Sequence, residues 1–153
     1  KRDPAIHRDD PEKLTAAINK SNKTLNSILV FYGNHSADMA IQLNQVAKRT
    51  KQSVCFVDCH LLTKKYIGET EKNLSKLIAQ AESENWILFF DEADALFGKR
   101  TEVKDSNNKY SNQEVSYVVK QLSHYSGLSI LAMTQKSALD IIRYAIDNVI
   151  YFR

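Results

Sequence analysis

Apolar residues along this chain come in short unbroken blocks, and longer amphipathic stretches separate them. The run 28–32 (ILVFY) ends at Gly33, the signature of a strand buried on both faces. Residues 37–49 then carry Met39, Leu43 and Val46 on one helical face. A second strand is predicted over 53–58 (SVCFVD). A helix follows over 70–84, with Leu74, Leu77, Ile78 and Ala81 at i, i+3, i+4 and i+7. The block 86–90 (WILFF) is a third buried strand, closed by Asp91 and Glu92. Further on, 128–134 (LSILAMT) is a fourth strand and 149–152 a fifth. Ser111 to Glu114 has capping-box spacing and opens a helix whose inner face is Val115, Val118, Val119 and Leu122. Ser137 to Asp140 has the same spacing and is expected to start a short helix.

Strands alternating with helices predict a parallel sheet with helices on both faces, a three-layer α/β/α sandwich. Ligands of such sheets bind beyond the carboxyl ends of the strands. Gly33, Asp58, Asp91, Glu92 and Thr134 all fall at such ends. Residues 1–26 are polar, hold two Asp-Pro pairs and predict a lead-in with a short helix over 12–20; the α/β domain is expected over 27–153. The stretch 98–110 (GKRTEVKDSNNKY) is charged, aperiodic and expected to be an exposed loop.

Composition narrows the class. With 153 residues, 43% hydrophobic and 25% charged, the chain has the make-up of one globular domain. A net charge of +3 makes no case for nucleic acid. The longest apolar runs are five residues, against about 20 for a membrane span. No secretory pattern opens the chain, so a soluble cytoplasmic protein without membrane contact is expected. Cys55 and Cys59 are predicted to be small residues on a buried strand. Four strand steps separate their Cα atoms by about 13 Å, beyond the ~7 Å limit for a disulfide, and two cysteines fall short of a zinc ligand set.

The string 87–100 (ILFFDEADALFGKR) is the most informative in the chain. Hydrophobic residues followed by Asp-Glu form a Walker B pattern, in which a strand tip presents Asp91 to a magnesium ion and Glu92 to a water. This string, 65–74 (KYIGETEKNL) and 128–140 (LSILAMTQKSALD) together resemble the AAA ATPase family, and the resemblance runs from about residue 28 to 152. It implies a P-loop NTPase fold with a five-stranded sheet of order 5-1-4-3-2. It also implies a pore loop of Tyr66, Ile67 and Gly68 that grips a protein partner or substrate at the centre of a ring of like or unlike subunits. Thr134 matches the sensor-1 position, where the family has asparagine. The sequence stops where the family's small lid domain would begin, so the lid is absent from this stretch, whether or not one follows Arg153.

Against that resemblance, the phosphate loop departs. A working loop reads Gly, four residues, then Gly-Lys-Ser/Thr, whereas here Gly33, Asn34, His35, Ser36, Ala37, Asp38, Met39 and Ala40 follow the first strand. Asp38 replaces the second glycine and brings negative charge toward polyphosphate. Met39 replaces the lysine and Ala40 the magnesium-binding hydroxyl. Arg143 falls ahead of the expected arginine-finger position, where Asn148 stands instead. His35 reads as a turn histidine, with a phosphate contact as the alternative. Tyr66 reads as a pore residue, with plain surface packing as the alternative. ATP and magnesium are accordingly expected to bind weakly or not at all. The expected function is a non-hydrolysing structural or regulatory module of a ring, with a weak magnesium-dependent ATPase motor and a ring-independent protein-binding module as the other readings.

Overall fold

The computed structural model describes residues 6–7, 16, 27–62, 67–97 and 117–152. The lead-in helix (12–20), the charged loop (98–110) and the cap at Ser111 therefore lie outside the described residues, as does Tyr66; of 12–20, only residue 16 is described. Among the described residues six strands form one sheet: β1 (Ile6–His7), β2 (Ser27–Tyr32), β3 (Val54–Asp58), β4 (Ile87–Asp91), β5 (Leu128–Met133) and β6 (Asn148–Tyr151). Their order is β1-β6-β2-β5-β4-β3, and every pairing is parallel. Taken alone, the five long strands reproduce the expected order. The extra strand comes from the polar stretch: Ile6 and His7 pair with Ile150 and Tyr151. Two residues are too few to show a period, so nothing in the sequence marks this strand.

Helices connect the strands. They are α1 (Ser36–Thr50), α2 (Cys59–Leu62), α3 (Ile67–Glu84), α4 (Asp94–Phe97), α5 (117–124) and α6 (Lys136–Ile142), with a 3-10 turn at Arg143–Ala145. Side chains alternate across each strand, which divides the core into two layers. Leu29, Phe31, Phe89, Ile130 and Ile150 face α1, whose Met39, Leu43 and Val46 cover them. Ile28, Val30, Leu88, Phe90 and Leu131 face the other way, under α3, α5 and α6. β2 and β5 sit inside the sheet, which is why their sequences are apolar at nearly every position. β3 is an edge strand, and Phe56 there stays 48% exposed while one side of its ring meets Phe89 at 5.3 Å.

Two expectations need correction. Cys59 does not continue the strand; it begins α2 and is fully buried, while Cys55 on β3 is half-buried and no disulfide joins them. Ser137 does not cap a helix either. α6 begins one residue earlier, its N-cap is the extended residue Gln135, and the Gln135 N–H donates to Asp94 Oδ1 at 3.3 Å. A carboxylate from another element thus holds the residue that precedes the helix, and no side chain of Gln135 caps its first turn. The buried Tyr125 does similar work in the core. Its hydroxyl donates to the carbonyls of Trp86 and Ala81, joining the end of α3 to the start of β4.

Candidate functional site

Parallel strands bring all their carboxyl ends to one edge, and the order β2-β5-β4-β3 sets Gly33, Thr134, Asp91 and Asp58 side by side there. Asp58 and Asp91 are direct register partners. The Gly33 N–H donates to Met133 O at 2.9 Å and the Ala93 N–H to Ala132 O at 2.9 Å, so both strand-end turns are tied to β5. The strand-end residues picked out from sequence therefore share one edge.

Their side chains, however, are engaged separately. Glu92 is exposed, with its backbone in the left-handed region at φ 54°, where non-glycine residues are uncommon. Its Oε1 lies 2.9 Å from Nε2 of His60 on α2. Thr134 turns instead to Asp94: its N–H and its hydroxyl both donate to Asp94 Oδ2, at 2.8 and 2.9 Å. Asp94 organises the turn after β5, although in the sequence it shows only as a further acid after Asp91 and Glu92. Its only local signal is an acid at the first position of a short helix. His60 carries no local signal in the sequence beyond standing beside Cys59. Burial first, then the charges of Asp58, Asp91, Glu92 and Asp94, push the Cys59 thiol far above its ordinary range, so it stays protonated and unreactive.

The phosphate-loop stretch is short. Gly33, Asn34 and His35 connect β2 to α1, which already begins at Ser36. The Met39 N–H donates to His35 O at 3.0 Å, in the ordinary helical pattern. Met39 itself is 1% exposed, packed in the core layer with Phe31, Leu43 and Phe152. Asp38 lies in the first turn with its Oδ2 4.0 Å from His35 Nδ1, close to the positive end of the helix dipole. Ala37 and Asn34 are exposed and Ala40 is half-buried. Gly33 has φ 144°, and a Cβ there would stand 2.3 Å from Phe152 O. That close approach of the chain after β6 is reason enough for glycine.

Ile67 and Gly68 open α3, and α2 lies between β3 and that start. Arg143 is exposed in the 3-10 turn. Asn148 begins β6, at the opposite edge of the sheet from Gly33, and its Oδ1 accepts the Val149 N–H at 2.8 Å. At that same far edge, Asp147 Oδ2 accepts the Ile28 N–H at 2.7 Å. Among the described residues no group of three or more His, Cys, Asp or Glu is placed to hold a metal ion. Among the same described residues no helix is long and apolar enough to cross a membrane.

The sheet order and the acidic strand-end pair define the class, a P-loop-type α/β domain. The family model for "ATPase family associated with various cellular activities (AAA)" matches residues 29–151, and the chain belongs to that family. Over 75 residues it is 35% identical to the ATPase family gene 2 protein of Schizosaccharomyces pombe, a match covering 48% of this chain and 9% of that protein. AAA proteins commonly act in oligomeric assemblies on protein substrates.

Proposed function

We propose that this AAA domain is a non-hydrolysing module that contributes shape and contacts to a ring assembly while another domain or subunit hydrolyses ATP. The carrying observation is the burial of Met39 in the core. A functional loop needs a cation at that position to meet the β- and γ-phosphates. Here the position carries a thioether aimed into an apolar layer, Asp38 adds an acid one residue earlier, and Ala40 brings no hydroxyl for magnesium. The residues present do not fit magnesium-bound ATP.

Each lost charge-assisted contact removes about 1.5–3 kcal/mol. Two of them weaken binding by roughly 3–6 kcal/mol, or about 10²- to 10⁴-fold. The degenerate loop and the separate engagement of Glu92 and Thr134 support the same reading. Ring contacts and a protein partner are proposed from family membership, with the segment ending in Ile67 and Gly68 as the gripping loop.

Titration calorimetry with magnesium-ATP at about 1 mM, alongside a phosphate-release assay, tests this. The expected result is negligible heat and no turnover. Binding accompanied by turnover that Glu92→Gln abolishes would establish the weak-ATPase reading instead. Light scattering on the chain with and without a catalytically intact AAA partner addresses assembly, and a strictly monomeric result would favour the ring-independent module.

A further inference from the structure

Glu92 persists although the cation that would make it useful is gone, and the geometry supplies another use for it. On one side of the contact, α2 is firmly seated. Cys59 is fully buried, and Asp58 Oδ1 accepts the N–H groups of His60 and Leu61 at 2.9 and 3.3 Å. On the other side, the turn after β4 is pinned. Ala93 donates to Ala132 O at 2.9 Å and Ala95 to Glu92 O at 3.1 Å, while Glu92 holds a left-handed backbone at φ 54°.

Both side chains therefore start from fixed backbones, and they meet at 2.9 Å although they are 66% and 63% exposed. Exposed ion pairs usually contribute little because two long side chains must be ordered to make them. Here the short imidazole and the anchored turns reduce that cost. Asp58, Asp91 and Asp94 lie at the same edge, around Cys59, where His60 meets Glu92.

We propose that Glu92 acts as a clasp: through His60 it ties the tip of β4 to α2, the helix that leads toward Ile67 and Gly68, and so positions that segment instead of orienting a water. The clasp rests on the preceding reading only in releasing Glu92 from water activation. His60 is a positioning residue under this assignment.

The test is amide hydrogen exchange by NMR at Leu61, whose N–H reports the seating of α2. The samples are the parent chain, His60→Ala, His60→Gln, Glu92→Ala and the double variant His60→Ala/Glu92→Ala. Each alanine substitution is expected to speed Leu61 exchange by about two- to fivefold, and the double variant no further. His60→Gln, which can still donate to Glu92, should recover part of the protection. An unchanged Leu61 amide in Glu92→Ala, or effects that multiply in the double variant, would overturn the clasp. Magnesium-ATP turnover measured on the same samples separates the two readings. Turnover that survives Glu92→Ala, with the coupling intact, defeats only the non-hydrolysing reading, and absent coupling without turnover defeats only the clasp. Turnover that Glu92→Ala abolishes defeats both.

Discussion

Replacing Met39 by lysine restores the side chain that a phosphate loop requires, and the structure predicts that this repair will damage the protein. Met39 is 1% exposed, on the inward face of α1 with Leu43 and Val46, against Phe31 and Phe152. Its amide is already committed to His35 O at 3.0 Å, so the backbone offers no easy rotation toward the strand ends. An ammonium at this point loses the packing of a buried Met, about 2–5 kcal/mol on truncation. It must also either shed its charge or drag α1 out of register. A loss of about 3–5 kcal/mol is expected, a large share of the ~5–15 kcal/mol that holds a domain folded. In urea, with a slope of about 2 kcal/mol/M, the midpoint should fall by roughly 2 M. Met39→Leu, which conserves volume, should lose less than about 1.5 kcal/mol. Circular dichroism through a urea series measures both, and calorimetry with magnesium-ATP runs beside it. A Met39→Lys protein as stable as the parent and able to bind ATP at micromolar levels would refute the placement of this side chain in the core.

Three further outcomes follow from the packing. Gly33→Ala sets a Cβ 2.3 Å from Phe152 O at a φ of 144°, and thermal denaturation should show a loss of about 1–3 kcal/mol with nucleotide binding unaltered. Ser129→Ala removes a hydroxyl that is buried and finds no partner among the described residues, so it should raise stability by up to about 1 kcal/mol, seen as a higher urea midpoint. Tyr125→Phe takes the hydroxyl donor from the Trp86 carbonyl and leaves the Ala81 carbonyl to the Trp86 N–H at 3.1 Å, and should cost about 1–3 kcal/mol. Burial, then Glu82 and Cys55, push the Tyr125 hydroxyl up from 10.0 to about 12. Because the folded value is the higher one, its contribution is complete below pH 10 and fades as pH rises toward 12. The Phe variant should lose this part of the alkaline dependence in denaturation curves taken between those pH values.

Much of the architecture was already written in local pattern. Continuous apolar runs marked β2 and β4, because interior parallel strands bury both faces, and the i, i+3, i+4 spacing marked α1 and α3. The resemblance carried the order of the five long strands, which periodicity alone does not encode. What escaped was short or non-local. β1 has two residues and α2 four, below the length at which a period is visible. Asp94 and His60 act on groups 40 and 32 positions away, a distance along the chain that no spacing rule spans.

Met39 shows where the boundary lies. Helical phase grouped it with Leu43 and Val46 on the apolar face, while its place in the motif assigned it to the phosphate pocket. The sequence by itself determined the five long strands, the longer helices and the strand-end acids, since these follow from patterns only a few residues long. Tertiary structure alone decided that residue 39 faces inward, that Glu92 meets His60 and that Thr134 meets Asp94. The direction of a side chain at a helix start, and its partner across the edge of a sheet, depend on which elements pack together, and packing is a property of the whole chain.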